Sequence, residues 1–298
     1  MLRLYGDCCT LETIRTIAWM KERAHGARAE GRIVGLVPTM GALHAGHVAL
    51  IERARQECSP VFASLFVNPK QFGPNEDFAK YPRAFEADVE KLTAASVDAV
   101  FAPGPEEMYP AGFGTLVNVE GISERLEGRS RPGHFRGVAT VVMKLLQIVQ
   151  PHRAYFGRKD AQQARIVQQM ARDMNLDSEI VVCPIVREPD GLAMSSRNAY
   201  LDAKERSAAT VLHRALWSAR RELAAGERDG LRLQSVMRQV LETEPLARVD
   251  YAEVVDAETF EPVARVGRAS YALLAVYFGK TRLIDNLWIG EDGAALQL

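Results

Sequence analysis

The sequence predicts an α/β protein with a Rossmann-like, doubly wound parallel sheet in residues 1–186 and a smaller α+β domain in residues 187–298. Short apolar runs without polar alternation are typical of strands that are buried on both faces of a parallel sheet. Stretches with the apolar periodicity of a helix lie between most of these runs, as a doubly wound fold requires. After about residue 186 the pattern changes to two helical stretches and then closely spaced strands, which indicates a small antiparallel sheet with helices.

The elements of both domains follow in chain order. Thr10 is expected to cap a first helix over residues 11–25. Apolar runs predict the strands of the parallel sheet at 32–37, 60–67, 97–103, 153–157 and 179–186. Periodicity places the helices between them at 47–57, 83–95, 137–149 and 160–174. In the second domain, helices are expected at 202–224 and 230–243, and strands at 248–256, 269–279 and 281–290.

Composition excludes several classes of function. Lysine and arginine total 37 against 38 acids, which is not the basic bias of a general nucleic-acid binder. No apolar run reaches the roughly 18 residues of a membrane span, and the N-terminus has no signal-peptide core. The four cysteines form no C-x-x-C pair, so we expect a reduced, cytoplasmic protein with neither nucleic acid nor membrane as a partner.

The stretch "VPTMGALHAGH" (37–47) places two histidines, His44 and His47, where a buried strand turns into a helix. Gly41 allows a tight turn, and Gly46 is expected to let a ligand approach closely. Free N–H groups at the helix start favour anions, and imidazole N–H groups there can donate to phosphate oxygens. Two structural histidines are an equally good interpretation of this pattern alone. A zinc site is less favoured, because no third ligand is apparent.

Two further stretches suit phosphate or nucleoside binding. In "GLAMSSRN" (191–198), Arg197 supplies planar donors beside two hydroxyls. In "YFGRKDAQQ" (155–163), Lys159 could reach phosphate and Asp160 could accept from ribose hydroxyls. Each stretch alone is more often an ordinary surface loop or helix start. The segment "FGKT" (278–281) is not a P-loop, because Leu274 occupies the position of the first required glycine.

The combination and order of these stretches is specific, and the chain resembles the pantothenate synthetase (pantoate–β-alanine ligase) family of the H-x-G-H nucleotidyltransferases. The matching stretches are "PTMGALHAGH" (38–47), "FVNPKQFGPNEDFAKYPR" (66–83), "EGRSRPGHFRGVATVV" (127–142), "FGRKDAQQ" (156–163) and "VREPDGLAMSSRNAYL" (186–201). The resemblance implies ATP-dependent condensation of pantoate with β-alanine through pantoyl adenylate, with Mg²⁺ as the cofactor and a homodimer as the assembly. Within the second stretch, the polar and turn-rich residues 72–83 are expected to form a mobile flap.

The resemblance also assigns site residues. It implies catalytic roles for His47 (as proton donor), His44, Lys159 and Arg197. The implied ATP-binding residues are Met40, Gly41, Ala42, Leu43, His44, Ala45, Gly46, His47, Gly157, Arg158, Lys159, Asp160, Val186, Met194, Ser195, Ser196 and Arg197. The implied pantoate and β-alanine contacts are Gln71, Gln163, Pro38, Met40, Asn68, Arg131, Val138 and Val142. Asp88 is implied as a Mg²⁺ ligand, although Ala87 replaces an adjacent acid that is common in the family.

One departure from the family pattern is Arg158, which stands where an acid is usual. Neighbouring side chains near a strand end tend to point to opposite sides, so an inward Lys159 predicts an outward Arg158. Three alternative functions are weighed: another nucleotidyltransferase, an RNA-binding relative of the tRNA synthetases, and a nucleotide sensor without catalysis. The amides of Gln71 and Gln163 argue against the first, and the charge balance argues against the second. A sensor would use the same phosphate-binding residues, so only an activity distinguishes it.

Overall fold

The computed structural model describes residues 11–74, 76–291 and 295–296. Its larger sheet has six strands, and every neighbouring pair is parallel. These strands are β1 (Glu12–Ile14), β2 (Gly35–Thr39), β3 (Val61–Leu65), β4 (Ala99–Phe101), β5 (Arg153–Gly157) and β6 (Glu179–Cys183). Their order in the sheet is β1-β4-β3-β2-β5-β6. This confirms the predicted doubly wound fold.

Ten α-helices lie among the described residues. They are α1 (Ile17–Ala29), α2 (Ala45–Glu57), α3 (Phe85–Ala94), α4 (Pro105–Met108), α5 (Glu127–Ser130), α6 (His134–Val149), α7 (Ala161–Asp173), α8 (Ala203–Ala208), α9 (Val211–Ala224) and α10 (Gly230–Leu241). Helix α6 is buried along nearly its whole length, which makes it a central element of the core. No helix in the described part of the chain is long and apolar enough to cross a membrane.

The sheet order creates a crevice at the carboxyl ends of β2 and β5. From β2 the chain proceeds to β3 and β4 on one side, whereas β5 and β6 lie on the other side. Ligands of open α/β sheets bind where the strand order reverses in this way. The turn after β2 leads into α2, and the turn after β5 leads into α7. Two of the three candidate stretches therefore meet at one edge of the sheet.

The second sheet is antiparallel, in the order β10-β9-β8-β7. Its strands are β7 (Ala247–Asp256), β8 (Ser270–Phe278), β9 (Thr281–Ile289) and β10 (Ala295–Leu296). Helices α9 and α10 share a hydrophobic cluster with this sheet that includes Leu216, Leu233 and Leu274. The smaller α+β unit is thus confirmed. The boundary between residues 186 and 187 stays a prediction, and it falls between β6 and the start of α8.

Two predicted helices were wrong in extent. The helix expected over 11–25 is instead β1 followed by α1, which is capped by Thr16; Thr10 lies outside the described residues. The reason is tertiary, because Ile14 is fully buried where it pairs with Phe101 of β4. The helix expected over 202–224 is two helices, because Thr210 donates to the carbonyl of Ser207 in a tighter turn.

Candidate active site

A cavity of about 220 Å³ opens at the carboxyl ends of β2 and β5 and brings the three candidate stretches together. Most of the residues that the sequence singled out line it. They are Pro38, Met40, His44, Gly46, His47, Gln71, Arg131, Val138, Val142, Gly157, Lys159, Asp160, Gln163, Val186, Met194, Ser195, Ser196 and Arg197. A single site therefore combines cations, imidazoles, carboxamides and an apolar wall.

The two histidines are oriented by the first turn of α2. His44 is the N-cap, and its Nδ1 accepts from the backbone N–H of Gly46 at 3.1 Å. The Nδ1 atom of His47 accepts from the backbone N–H of His44 at 3.3 Å. Because both Nδ1 atoms are acceptors, each neutral ring carries its proton on Nε2. The ring centroids are 4.1 Å apart, so the two rings form one pair of donors beside the cavity.

Both histidines are neutral at pH 7. Burial, and after it the charge of Lys159, lower the pKa of His44 to about 4. Burial and the neighbouring His44 lower the pKa of His47 to about 3. In the ligand-free protein these residues therefore act as hydrogen-bond donors rather than as cations. The negative charge of a bound phosphate would raise both pKa values, because an anion favours the protonated form.

Glycine is required at two positions of this turn. A Cβ at Gly46 would lie 2.8 Å from Cε1 of His44, so this glycine makes room for the imidazole. Gly41 has a φ of +86°, and a Cβ there would lie 2.9 Å from Oδ2 of Asp88. Gly46 also lines the cavity, and the expectation that it lets a ligand approach closely stays a prediction.

Asp88 of α3 holds the turn that precedes α2. Its Oδ2 accepts from the backbone N–H of Ala42 at 2.8 Å, and its Oδ1 accepts from that of Leu43 at 2.7 Å. Lys91, one helical turn later, donates to the carbonyl of Leu43 at 2.6 Å. The carboxylate is 2% exposed and does not line the cavity. The structure gives Asp88 this positioning role, and the Mg²⁺ ligation that the resemblance implied stays a prediction.

The turn after β5 is held by the antiparallel sheet. Asn286 of β9 is buried, and its Nδ2 donates to the carbonyl oxygens of Arg158 at 2.9 Å and Lys159 at 3.0 Å. The guanidinium carbon of Arg158 lies 5.6 Å from the ring centroid of Trp288, whereas Lys159 lines the cavity. The opposite orientations of Arg158 and Lys159 agree with the alternation that the sequence predicted.

The "MSSR" loop contacts the segment at 72–83. The Nε and Nη2 atoms of Arg197 each donate to Asp77, both at 3.1 Å. The Ser196 hydroxyl lies 3.3 Å from the hydroxyl of Tyr81, which is buried. The Ser195 hydroxyl accepts from the backbone N–H of Arg197 at 3.2 Å. The segment at 72–83 therefore makes specific contacts with the loop in this structure, and its motion stays a prediction.

Asn68 and Tyr109 hold the carboxamide of Gln71 in place through a chain of hydrogen bonds. Asn68 donates through Nδ2 to Oε1 of Gln71 at 3.0 Å, and Tyr109 donates to Oδ1 of Asn68 at 2.8 Å. Gln71 in turn contacts Sδ of Met40 at 3.1 Å. Asn68 is 1% exposed and does not line the cavity. Asn68 thus supports Gln71, and the direct ligand contact that the resemblance implied stays a prediction.

Not every implied residue faces the cavity, and several lining residues were missed. The implied residues that do not line it are Gly41, Ala42, Leu43, Ala45, Asn68, Asp88 and Arg158. The missed lining residues are Thr39, Leu50, Phe66, Phe72, Tyr81, His134, Val141, Leu145, Tyr155, Phe156, Pro184 and Ile185. Helical spacing from Val138 could have identified Val141 and Leu145. No sequence signal identifies His134, whose role depends on long-range contacts.

A crevice at the switch point of a parallel sheet, lined by two neutral imidazoles and by lysine and arginine, defines a nucleotide-binding α/β enzyme. The family model described as pantoate-beta-alanine ligase matches residues 12–288. The chain therefore belongs to the pantoate–β-alanine ligase family, and the protein is a ligase.

Relatives cover nearly the whole chain. It is 52% identical over 285 residues to the pantothenate synthetase of Koribacter versatilis, covering 96% of this chain and 98% of that one. It is 58% identical over 267 residues to that of Acidobacterium capsulatum, covering 90% and 89%. The crystal structure of pantothenate synthetase from Thermus thermophilus matches with a TM-score of 0.88 and 47% identity, covering 93% and 99%.

A further solved structure is the pantoate–β-alanine ligase of Francisella tularensis, complexed with beta-gamma ATP and β-alanine. It matches with a TM-score of 0.76 and 33% identity, covering 93% of this chain and 97% of that one. The family match includes strands of both sheets, since it ends within the last long strand of the antiparallel sheet.

Proposed function

We propose that this protein condenses pantoate with β-alanine, using ATP, to give pantothenate, AMP and pyrophosphate. The observation that carries the proposal is the composition of a single cavity. His44, His47 and Lys159 line it together with the carboxamides of Gln71 and Gln163. The first group suits phosphate oxygens, and the second suits a hydroxyl beside a carboxylate. Family membership supports the same reaction.

In the first step, a carboxylate oxygen of pantoate attacks the α-phosphorus of ATP. A new oxygen–phosphorus bond forms, the bond from the α-phosphorus to the bridging oxygen breaks, and pyrophosphate leaves with that electron pair. Charge accumulates on phosphate oxygens as the bond breaks. The Nε2–H groups of His44 and His47 donate to those oxygens, while Lys159 and Arg197 neutralise charge. Backbone contacts already orient the two imidazole rings, so these donors need little reorganisation during the reaction.

In the second step, the amine of β-alanine attacks the carbonyl carbon of pantoyl adenylate. A carbon–nitrogen bond forms, the bond from that carbon to the phosphate oxygen breaks, AMP leaves with that electron pair, and the proton of the amine passes to water. Gln71 and Gln163 hold the pantoyl group, and Pro38, Met40, Val138 and Val142 form the apolar wall beside its methyl groups. Met194, Ser195 and Ser196 hold the nucleotide beside Val186, Gly157 and Asp160.

Mg²⁺ enters this proposal with the nucleotide. Among the described residues, no group of three or more histidine, cysteine or acidic side chains is arranged to hold a metal ion. Both oxygens of Asp88 are already engaged by backbone N–H groups. Mg²⁺ characteristically keeps several waters and binds substrate phosphates rather than a cage of protein ligands. We therefore treat Mg²⁺ as part of the ATP substrate, and the homodimer and the cytoplasmic location stay predictions.

The test is the dependence of product formation on each substrate. AMP should form only when pantoate, β-alanine, ATP and Mg²⁺ are all present. Labelled pyrophosphate should exchange into ATP with pantoate and Mg²⁺ but without β-alanine, because adenylation precedes the need for an amine. A ligase that acts through an acyl phosphate would release ADP and show no exchange. A nucleotide sensor would bind ATP and release neither product.

A further inference from the structure

His134, the first residue of α6, connects two of the residues that line the substrate side of the cavity. Its Nδ1 lies 2.8 Å from the carbonyl oxygen of Gln71, and its Nε2 lies 3.0 Å from Nη1 of Arg131. The ring lines the cavity but is only 9% exposed. A buried imidazole with two such partners fixes the relative positions of a backbone and a cationic side chain.

The hydrogen-bond partners determine the tautomer of His134. A guanidinium has only donors, so Nε2 must accept from Arg131. A carbonyl oxygen only accepts, so Nδ1 must carry the proton and donate to Gln71. The ring is therefore neutral with its proton on Nδ1. This is the opposite tautomer to that of His44 and His47, whose Nδ1 atoms both accept.

The N-terminus of α6 is built around the turn that contains Gln71. A Cβ at Gly137 would lie 2.1 Å from the carbonyl oxygen of Lys70, so only glycine allows this close contact. Asn68 donates through Nδ2 to the carbonyl of Gly137 at 3.1 Å. His134 adds a third connection between the helix and the turn. The backbone position of Gln71 therefore depends on contacts from α6.

Arg131 donates to Glu76 and His134 and keeps further N–H groups for a ligand. Its Nε and Nη2 atoms each donate to Glu76 at 2.7 Å, and Nη1 donates to His134. A guanidinium has five N–H groups, so these described contacts leave one on each terminal nitrogen. Guanidinium N–H groups pair strongly with carboxylates. Arg131 lines the cavity, so its remaining donors can serve a substrate carboxylate there.

We propose that His134 is a positioning residue that orients Arg131 and Gln71 toward a carboxylate substrate. The proposal rests on the function proposed above, in which pantoate and β-alanine each carry a carboxylate. The described hydrogen bonds of His134 go to Arg131 and Gln71 and not to the histidine pair. Its loss should therefore affect the carboxylate substrates and leave ATP recognition unchanged.

Two substitutions separate the two contacts. His134→Asn places an amide N–H near the position of Nδ1, so it keeps the donor to Gln71 and loses the acceptor for Arg131. His134→Gln places a carbonyl oxygen near the position of Nε2, so it keeps the acceptor and loses the donor. His134→Ala loses both contacts. His25→Ala is the matched control, because His25 is an exposed residue on α1.

We expect each single-contact variant to lower kcat/KM for a carboxylate substrate by about 10- to 100-fold, as for other hydrogen bonds to charged or buried groups. His134→Ala should lower it further. The value of kcat/KM for ATP, measured at saturating pantoate, should change by less than about threefold. Comparing pantoate with β-alanine in the His134→Asn protein identifies which carboxylate Arg131 binds. Equal losses for ATP and both carboxylates, or no loss in His134→Ala, would overturn the proposal.

A spectroscopic measurement tests His134 without relying on activity. Nitrogen-15 correlation spectra should show His134 protonated on Nδ1 and His44 and His47 protonated on Nε2, in the parent protein at pH 7.5. Protonation of His134 on Nε2 would contradict the positioning role even in an active enzyme. Conversely, a parent protein that forms no AMP would refute the proposed function and leave the tautomer result standing, so the two failures are distinguishable.

Discussion

The α2 N-terminus and the turn at residues 76–81 both border the cavity, but they are held in different ways. The first is fixed through the backbone: Asp88 accepts two main-chain N–H groups, and Lys91 donates to a main-chain carbonyl. The second is fixed through side chains, by ion pairs from Glu76 to Arg131 and from Asp77 to Arg197.

The two arrangements also differ in burial. Asp88 is 2% exposed, whereas the side chains of Asp77 and Arg197 are 23% and 30% exposed. A buried carboxylate that accepts two backbone N–H groups is costly to disrupt. Partly exposed ion pairs contribute little and are screened by salt. The phosphate-facing donors are therefore preorganised, whereas the contacts of the 76–81 turn can adjust when substrates bind.

The largest expected effect on activity comes from the histidine pair at the N-terminus of α2. His47→Ala removes one Nε2–H donor from the phosphate site, which should lower kcat/KM by about 100- to 1,000-fold. Circular dichroism should show an intact fold, because His47 contributes one turn contact to α2. His25→Ala serves as the control. A near-normal rate in the His47→Ala protein would remove this histidine from catalysis.

The next prediction tests whether the turn before α2 depends on Asp88. Asp88→Asn replaces one acceptor oxygen with an N–H group that faces a backbone N–H. We expect the free energy of unfolding to fall by about 1–3 kcal/mol. Displacement of the histidine pair should also lower kcat by about 10- to 100-fold. Glu90→Gln, an exposed change on the same helix, is the control. Unchanged kcat would show that the turn keeps its geometry without the carboxylate.

The sequence predicted the strands of the parallel sheet better than the contacts between distant parts of the chain. Apolar runs located all five predicted strands of the parallel sheet, because burial on both faces leaves a strong local signal. β1 was missed, since three residues are too few for a pattern and their pairing with β4 is tertiary. Two candidate stretches were found because glycine and basic or imidazole side chains follow a strand, and the third because adjacent hydroxyls precede Arg197.

The support behind those stretches was not predictable, because it comes from distant parts of the chain. Asn286 is more than a hundred residues from the turn that it holds, and Tyr109 reaches Asn68 from another loop. His134 lies within a quoted stretch, yet its function depends on contacts with Gln71 and Arg131. Local pattern identifies which residue types approach a ligand, whereas only the fold shows what positions them.

A third prediction concerns acid stability. Burial lowers the pKa of His134 from 6.5 to about 4, so the unfolded chain takes up a proton at a higher pH than the folded chain does. The stability linked to this residue is present above about pH 6.5 and is lost as the pH falls toward 4. The slope is about 1.4 kcal/mol per pH unit for one proton.

Denaturant unfolding at pH 7.5, 6.5, 5.5 and 4.5 measures this loss. The groups that face His134 are Arg131, Glu76 and Glu127, and they remain in the His134→Gln protein. That variant lacks the titrating ring, so its stability should fall less steeply between about pH 6.5 and 4 than that of the parent. Parallel curves for the two proteins would show that His134 is not the group responsible.

A smaller effect on activity is expected from the ion pair between Asp77 and Arg197. The ion pair with Asp77 uses Nε and Nη2 of Arg197 and, among the described contacts, leaves Nη1 available to the cavity. Asp77→Asn weakens this orientation, so the KM for ATP should rise by about fivefold, the size of a partly exposed ion pair. Added salt should raise the KM in the parent and have less effect in the variant. Asp177→Asn, an exposed change on another loop, should leave the KM unchanged.

The smallest effect is expected at Arg158, although this residue is next to Lys159 and departs from the usual family pattern. Its guanidinium lies over Trp288, and its main chain is held by Asn286 whatever the side chain is. Arg158→Glu should therefore lose only a cation–π contact of about 0.5–1 kcal/mol and change kcat/KM for ATP by less than about fivefold. Arg158→Gln, which removes the charge without reversing it, should be closer still to the parent. A loss of more than about tenfold, appearing in the KM for ATP, would place the arginine on the nucleotide. In that outcome, the side chain of Arg158 would leave Trp288 to bind the nucleotide, so the turn after β5 would adjust to substrate as the 76–81 turn does. The difference between a part of the cavity fixed through its backbone and a part fixed through its side chains would then no longer hold.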